Sequence, residues 1–259
     1  MDVVYLCREG ENEELRYSLR SLRNLPHGRV WIFGGAPEWI RGAELVPTDQ
    51  HDTKYRVTTK AMRAACEHPD VSDPFVLMND DFYVMEPVAA VPVLHRGPVD
   101  AVIADYLKRR GRSGYVDGMV ATSDLLAELG CEAPLSYELH VPLPVGKVAM
   151  LEALEVGEAS GIPVLHKRTL YGNLAGIGGA RLPDCKIVSA RDGRVAGRQR
   201  KLGPWLSSSD ASFAGLALLL AHRFPRPSPF EPPQATRTYA RDHNGRRYLE
   251  RVIPPASPR

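Results

Sequence analysis

Val3 to Leu6 is a short apolar run rich in β-branched and aromatic residues, which predicts a strand buried on both faces. Leu15, Leu19, Leu22 and Leu25 then recur at helical spacing and predict an amphipathic helix over Glu13–Leu25, with Asn12 as its N-cap. Val30 to Phe33 reads as a second buried strand, closed by Gly34-Gly35. Trp39 to Val46 reads as a short helix or turn leading into a third extended segment. Thr58 to Glu67 predicts a helix, with Ala61, Met62, Ala64 and Ala65 as good formers. After a turn-rich break at Pro69–Pro74, Phe75 to Met78 is the most strongly apolar strand of the chain. Asn79-Asp80-Asp81 sits at its carboxyl end, and Phe82 to Met85 is apolar again.

Further on, residues 95–118 mix glycine, basic residues and short apolar runs. Val148–Glu158 predicts a helix, and Pro163–Leu174 a strand or loop, with Ile162–Leu165 as its apolar strand. A glycine-rich turn follows at Gly176–Gly179, and Ala211–His222 predicts a late helix. Five prolines in the ten residues Phe224–Pro233 exclude a packed helix and favour an extended arm. Arg237–Val252 reads as a last short helix, followed by a fraying tail. Strand–helix alternation at this pace predicts an α/β fold with a mostly parallel central sheet flanked by helices. The expected organisation is one catalytic domain, 1–223, with the proline-rich arm and tail, 224–259, packed on it.

Composition narrows the setting. The 259 residues carry 33 basic and 31 acidic side chains, a balance that argues against nonspecific nucleic-acid binding. Cys7, Cys66, Cys131 and Cys185 are scattered with no C-x-x-C pair, so a zinc ribbon or disulfide framework is not expected. The N-terminus lacks the basic start and apolar run of a signal peptide, and the apolar stretch Phe213–Ala221 is too short to span a bilayer. The expected location is the cytoplasm.

In parallel α/β sheets ligands bind outside the carboxyl ends of the strands, which puts Asn79-Asp80-Asp81 where chemistry is expected. Their hard oxygens suit magnesium or manganese, and such an ion neutralises a departing diphosphate as a Lewis acid. Asp81 is the first candidate ligand; Asp80 can help it or touch a ribose, and Asn79 can hydrogen-bond without adding charge. A plain turn is the alternative reading of Asn and Asp here, although apolar runs on both sides are unusual for a turn in water. Arg8, just after the first strand, is a candidate contact to a base or phosphate, with an exposed surface arginine as the alternative. Lys54, Arg56 and Lys60 cluster before and within a helix, where Lys60 could reach a phosphate or merely face solvent. Asp117, in GYVDGMVA, is a candidate for positioning sugar hydroxyls or acting as base, with a simple turn as the alternative. His166-Lys167-Arg168 offers strand-end cations for a diphosphate or an acceptor phosphate. Asp184 and Asp210 are acids without an assigned role, and Ser207-Ser208-Ser209-Asp210 reads as an N-cap signal.

Three blocks carry a family resemblance. DVVYLCREGENEELRYSLRSL resembles the opening of the Stealth family of sugar-1-phosphate transferases, FVLMNDDFYVMEPV its second block, and ELHVPLPVGKVAMLEAL its third. They occur in the family's order over roughly the first two thirds of the chain, and L-R-Y-S-L-R-S is the most specific match. The layout is also similar to that of GT-A glycosyltransferases and of small actinobacterial-phage glycosyltransferases. The resemblance implies a GT-A-like (Rossmann-like) core, a divalent metal (Mn2+ or Mg2+) and a nucleotide-sugar donor. It implies that His140 is a metal ligand or an acid/base group, and it makes Arg168 the nearest match to an arginine that serves the family's site. Two departures stand out: Arg8 and Glu9 replace the aromatic and acidic residues of the family's first block, and family members are commonly larger. The expected activity is therefore sugar transfer to a protein or glycan acceptor, in the host cytoplasm if the chain is phage-encoded. Sugar-1-phosphate transfer is one alternative, and a noncatalytic binding protein with a degenerate fold is another.

Overall fold

The computed structural model describes residues 1–189, 191–192, 203–232, 236–241 and 247–253. Strand β1 (Val3–Cys7) leads into helix α1 (Glu13–Ser21), which tightens into a 3-10 turn at Leu22–Asn24. Leu25 is extended, as expected before Pro26, and ends the helix. β2 (Val30–Gly34) and β3 (Glu44–Val46) follow, the segment between them forming turns rather than a helix. α2 (Lys54–Glu67) begins four residues before its alanine-rich stretch because Thr53 caps it, its hydroxyl accepting from the Arg56 N–H. β4 (Phe75–Met78) then delivers the acidic triplet, and β5 (Phe82–Val84) leaves it.

The principal sheet has the order β3-β2-β1-β4-β7, with β7 being Leu143–Val145. The first four strands are parallel and β7 is antiparallel to β4, so the expected mostly parallel sheet is observed. Strand alternation sends successive side chains to opposite faces. Val3, Tyr5, Ile32 and Met78 pack with Leu15 and Leu19 of α1 and Leu22 of the turn that follows it. Val4, Leu6, Phe33 and Leu77 pack on the other face against Met62 of α2 and Leu154 of α5 (Lys147–Ala159). The leucine stripe of α1 is thus one wall of the core, and truncating Leu19 to alanine is expected to cost about 2–5 kcal/mol.

Register fixes where the site lies. Tyr5 pairs with Met78 and Cys7 with Gly34, so the residues after β1 and after β4 emerge side by side. Gly34, at φ 117°, and Gly35 are required at this rim. A Cβ on Gly34 would lie 2.0 Å from the Cys7 carbonyl oxygen, and one on Gly35 2.5 Å from the Glu9 Cα.

Several expectations are corrected. Residues 95–118, read as a mix of glycine, basic residues and short apolar runs, contain the end of β6 (Leu94–His95), all of α3 (Val99–Arg110) and the start of α4 (Gly114–Glu128). α3 buries only a narrow stripe through Val99 and Val102. In α4, Gly118 is a close-packing residue rather than a turn residue, since a Cβ there would meet the Val164 carbonyl at 2.2 Å. Ile162–Leu165 is not a strand: Gly161 ends the α5 region at φ 69°, and the chain turns into helix α6 (Lys167–Leu174). β8 (Ala180–Arg181) pairs with β6, and β9 (Trp205–Ser207) precedes α7 (Asp210–Arg223). Arg237–Val252 is not a helix but an antiparallel pair, β10 (Thr236–Arg241) and β11 (Arg247–Ile253). Asn244-Gly245 between them is a hairpin signal in the sequence. The proline-rich arm has no helix in its described part, through residue 232, and it is anchored by Glu231, which binds Arg16 and Arg20. Among the described residues no helix is long and apolar enough to cross a membrane.

Candidate functional site

The Asn79 carbonyl accepts the Phe82 N–H at 3.2 Å, so the triplet turns the chain from β4 into β5. It is a turn, as the simpler reading held, but one tucked into the protein. β5 pairs antiparallel with β9, which sets Ser207 opposite Phe82. The segment through Lys186 runs alongside β9, and Ile187 donates to the Ser207 carbonyl at 2.8 Å. This arrangement carries two distant side chains to Asp81. Its Oδ2 accepts from Lys186 Nζ at 2.9 Å and from Ser207 Oγ at 3.3 Å. Its Oδ1 is buried and has no partner among the described residues. An ionised carboxylate oxygen without a donor is costly, and this atom could take a cation or a donor group.

Around Asp81 stand further acids. Asp80 accepts from Asn12 Nδ2 at 2.7 Å. Burial and the Asp81 charge raise its pKa, against the opposing pull of Asn12 and Arg8. Glu14, on the first turn of α1, is bonded by the Ser208 hydroxyl. Burial raises the Glu14 pKa as well, and Asp81, Asp80 and Asp210 add to the effect. These carboxylates flank a cavity of about 720 Å3 lined by Arg8, Asn12, Glu14, Lys54, Asp80 and Asp210, among others. It opens beyond the carboxyl ends of β1 and β4, where a doubly wound sheet binds its ligand.

A second cavity, of about 560 Å3, adjoins the first: Lys54 lines both. His140 and Asp184 line it as well. His140 Nδ1 lies 3.0 Å from each Asp184 oxygen. Burial alone would raise the Asp184 carboxyl, but the His140 hydrogen bond and charge, with Arg96, hold it down at about 2. Asp184 is therefore ionised and accepts only, so Nδ1 carries the proton and a neutral His140 leaves Nε2 as the proton acceptor. Phe82 joins this dyad to the acidic turn: the His140 ring meets it edge-on at 6.3 Å, and the Arg168 guanidinium lies 5.9 Å from its centroid.

Of the residues nominated from sequence, Asp81, His140 and Arg168 gather around Phe82, and Arg8, Lys54 and Asp80 line the first cavity. Arg168 is buried, donates to the Val141 carbonyl at 2.8 Å and has no partner for its Nε among the described residues. Burial lowers its pKa. Asp117 stands apart on α4, 47% exposed and paired with Arg112 at 2.7 Å. Lys60 is spent on Asp49 and Asp52, at 2.8 and 3.4 Å, and lines neither cavity. Asp80, Asp81 and His140 do not form one ligand set: among the described residues no three Asp, Glu, His or Cys side chains are disposed to hold a metal. His140 is turned to Asp184 instead. Asp80 and Asp81 still fit an ion of the magnesium type, which takes one or two carboxylates and completes its shell with water and substrate phosphates.

Sequence reasoning did not assign Lys186, Ser207 or Glu14 to the site and left Asp184 without a role. Ser207-Ser208-Ser209 carries a signal, but by local pattern it indicates only a helix cap. Ser209 does form the capping box of α7, whereas Ser207 and Ser208 serve Asp81 and Glu14. No model of a known protein family matches the chain, and no curated protein matches it. Among solved structures the chain is similar to apo mouse xyloside xylosyltransferase 1, at 7% identity and a TM-score of 0.34, covering 82% of this chain and 95% of that one.

Proposed function

We propose that this chain is a metal-dependent glycosyltransferase of the GT-A-like type, moving a sugar from a nucleotide-sugar donor to an acceptor hydroxyl on a protein or glycan. The observation that carries the reading is the buried, unpartnered Oδ1 of Asp81 at the rim between β1 and β4. The resemblance of the first, second and third sequence blocks to the Stealth family points the same way.

In this reading Asp81 and Asp80 hold the divalent ion, which neutralises charge on the leaving diphosphate when bound. The first cavity is acidic, and a diphosphate is repelled from it unless a cation accompanies it. Asn12 holds the Asp80 carboxylate in place, and Ser207 does the same for Asp81. Arg8 meets the nucleotide. Lys186 adds a fixed positive charge beside Asp81. His140 takes the acceptor proton at Nε2, and Asp184 fixes its tautomer and stabilises the imidazolium that forms. Arg168 positions Phe82 and the Val141 backbone behind the dyad.

The test is a panel of nucleotide sugars incubated with Mn2+, scored for the nucleotide released, with Asp81→Asn as control. Release of a nucleoside diphosphate that needs both the metal and Asp81 supports the reading. Release of a nucleoside monophosphate replaces it with sugar-1-phosphate transfer. Absence of donor binding and turnover across the panel leaves a noncatalytic binding protein.

A further inference from the structure

The two adjoining cavities have opposite character. The first is lined mainly by carboxylates. Among the described residues the second presents Lys54, Arg110 and Lys186 beside a single acid, Asp184, which His140 already engages and Arg96 approaches at 3.8 Å. Two of these cations rest on aromatic faces rather than on acids. Lys54 Nζ lies 5.0 Å from the Tyr55 centroid, and the Arg110 guanidinium 5.7 Å from that of Tyr106. Among the described residues neither has a carboxylate within ion-pair distance. Their neighbours do: Arg109 binds Asp105 at 2.7 Å, and Arg112 binds Asp117 at 2.7 Å.

Tyr106 is itself held in place, its hydroxyl accepting from Arg96 at 3.2 Å and its ring lying 5.5 Å from Tyr115. A cation on an aromatic face keeps a defined position without having its charge cancelled, so it remains free to meet an anion. The volume lies within the range of about 300–1,000 Å3 typical of small-molecule sites. His140 and Asp184 line this cavity together with Lys186, whose Nζ bonds Asp81 of the acidic turn.

We propose that the second cavity is the acceptor subsite and that its ligand is an anionic sugar, carrying a carboxylate or a phosphate. Arg110 and Lys54 hold the anion, and the sugar hydroxyl faces the His140–Asp184 dyad. The proposal rests on the glycosyltransferase reading and names the acceptor class for it.

The experiment is ligand-observed NMR titration of the full chain with glucuronate, glucose 6-phosphate, glucose and inorganic phosphate. Each titration is run alone and again with Mn2+ and a nucleoside diphosphate, whose own binding is measured first. Glucuronate and glucose 6-phosphate are expected to bind about tenfold or more tighter than glucose and to remain bound beside the nucleotide. Arg110→Gln is expected to weaken them about tenfold, while Arg109→Gln, one residue away and already paired, leaves them unchanged. Four results overturn the proposal: glucose binding as well as glucuronate, phosphate alone matching glucose 6-phosphate, equal effects of the two arginine variants, or displacement of the sugar by the nucleotide. A nucleotide that does not bind sinks the glycosyltransferase reading instead, and the titrations without nucleotide still decide the chemistry of this cavity.

Discussion

The side chain of Asn12 is divided between two tasks: its oxygen accepts the Leu15 N–H at 2.9 Å to cap α1, and its nitrogen donates to Asp80 Oδ2 at 2.7 Å. One amide therefore starts the helix and fixes an acidic side chain of the site. The two tasks are separable by substitution. Asn12→Ser keeps a good cap, so stability should stay within about 0.5 kcal/mol, while Mn2+ affinity falls because Asp80 loses its donor. Asn12→Asp also caps but adds a further carboxylate beside Asp80, Asp81 and Glu14, and should lower the melting temperature. Calorimetry and Mn2+ titration check both. Unchanged Mn2+ binding in Asn12→Ser would show that the contact to Asp80 is only structural.

Asp80 should trade stability for binding. Burial and the neighbouring Asp81 charge disfavour its ionised form. Asp80→Asn removes that conflict and should raise the melting temperature while abolishing metal-dependent donor binding. A variant that is less stable than the parent contradicts this account.

Asp184→Asn leaves His140 with a partner of similar shape but without charge, and free to hold the wrong tautomer. Turnover should fall about 10^2-fold or more, while nucleoside diphosphate affinity stays the same. A loss confined to nucleotide affinity would place the dyad in the first cavity's work instead.

The arm reports on acid. Burial would raise the Glu231 carboxyl, but Arg20, the Ser228 N–H and Arg16 hold it at about 2, from an ordinary value of 4.5. Because the folded value is the lower one, its stabilising contribution is complete above pH 4.5 and is lost as pH falls from 4.5 toward 2. That contribution is on the order of 3 kcal/mol. Denaturant titrations at pH 5 and pH 3 should show the loss, and Glu231→Gln should flatten the difference. Equal pH slopes for parent and variant would remove Glu231 as its source.

Lys60→Ala and Asp117→Ala should be nearly silent. Neither residue lines either of the two cavities, although Asp52, one of the two partners of Lys60, lines the first, and ion pairs of such exposed side chains contribute little. Turnover matching the parent is the expected result, and a large loss in either variant would return that residue to the site.

Local pattern was enough for β1, α1, β2 and β4, because a buried strand and a leucine-striped helix declare themselves within a few residues. Apolar runs on both sides of Asn79-Asp80-Asp81 likewise marked the turn as enclosed. The pattern failed where packing chose the conformation. Ile162–Leu165 has strand-like residues, yet Gly161 and the following helix leave no sheet edge for it to pair with. α3 and α4 bury only narrow stripes, so their periods are faint. Lys186 and Ser207 lie 105 and 126 positions from Asp81, and Asp184 lies 44 from His140. No local propensity encodes such pairs. The amino-acid sequence thus determined the parallel strands β1, β2 and β4 and the carboxylates at their rim, but not the antiparallel edge strand β7. Only the tertiary structure, through the pairing of β5 with β9 and the strand-side path of Lys186, decided which charges those carboxylates meet and which oxygen is left without a partner.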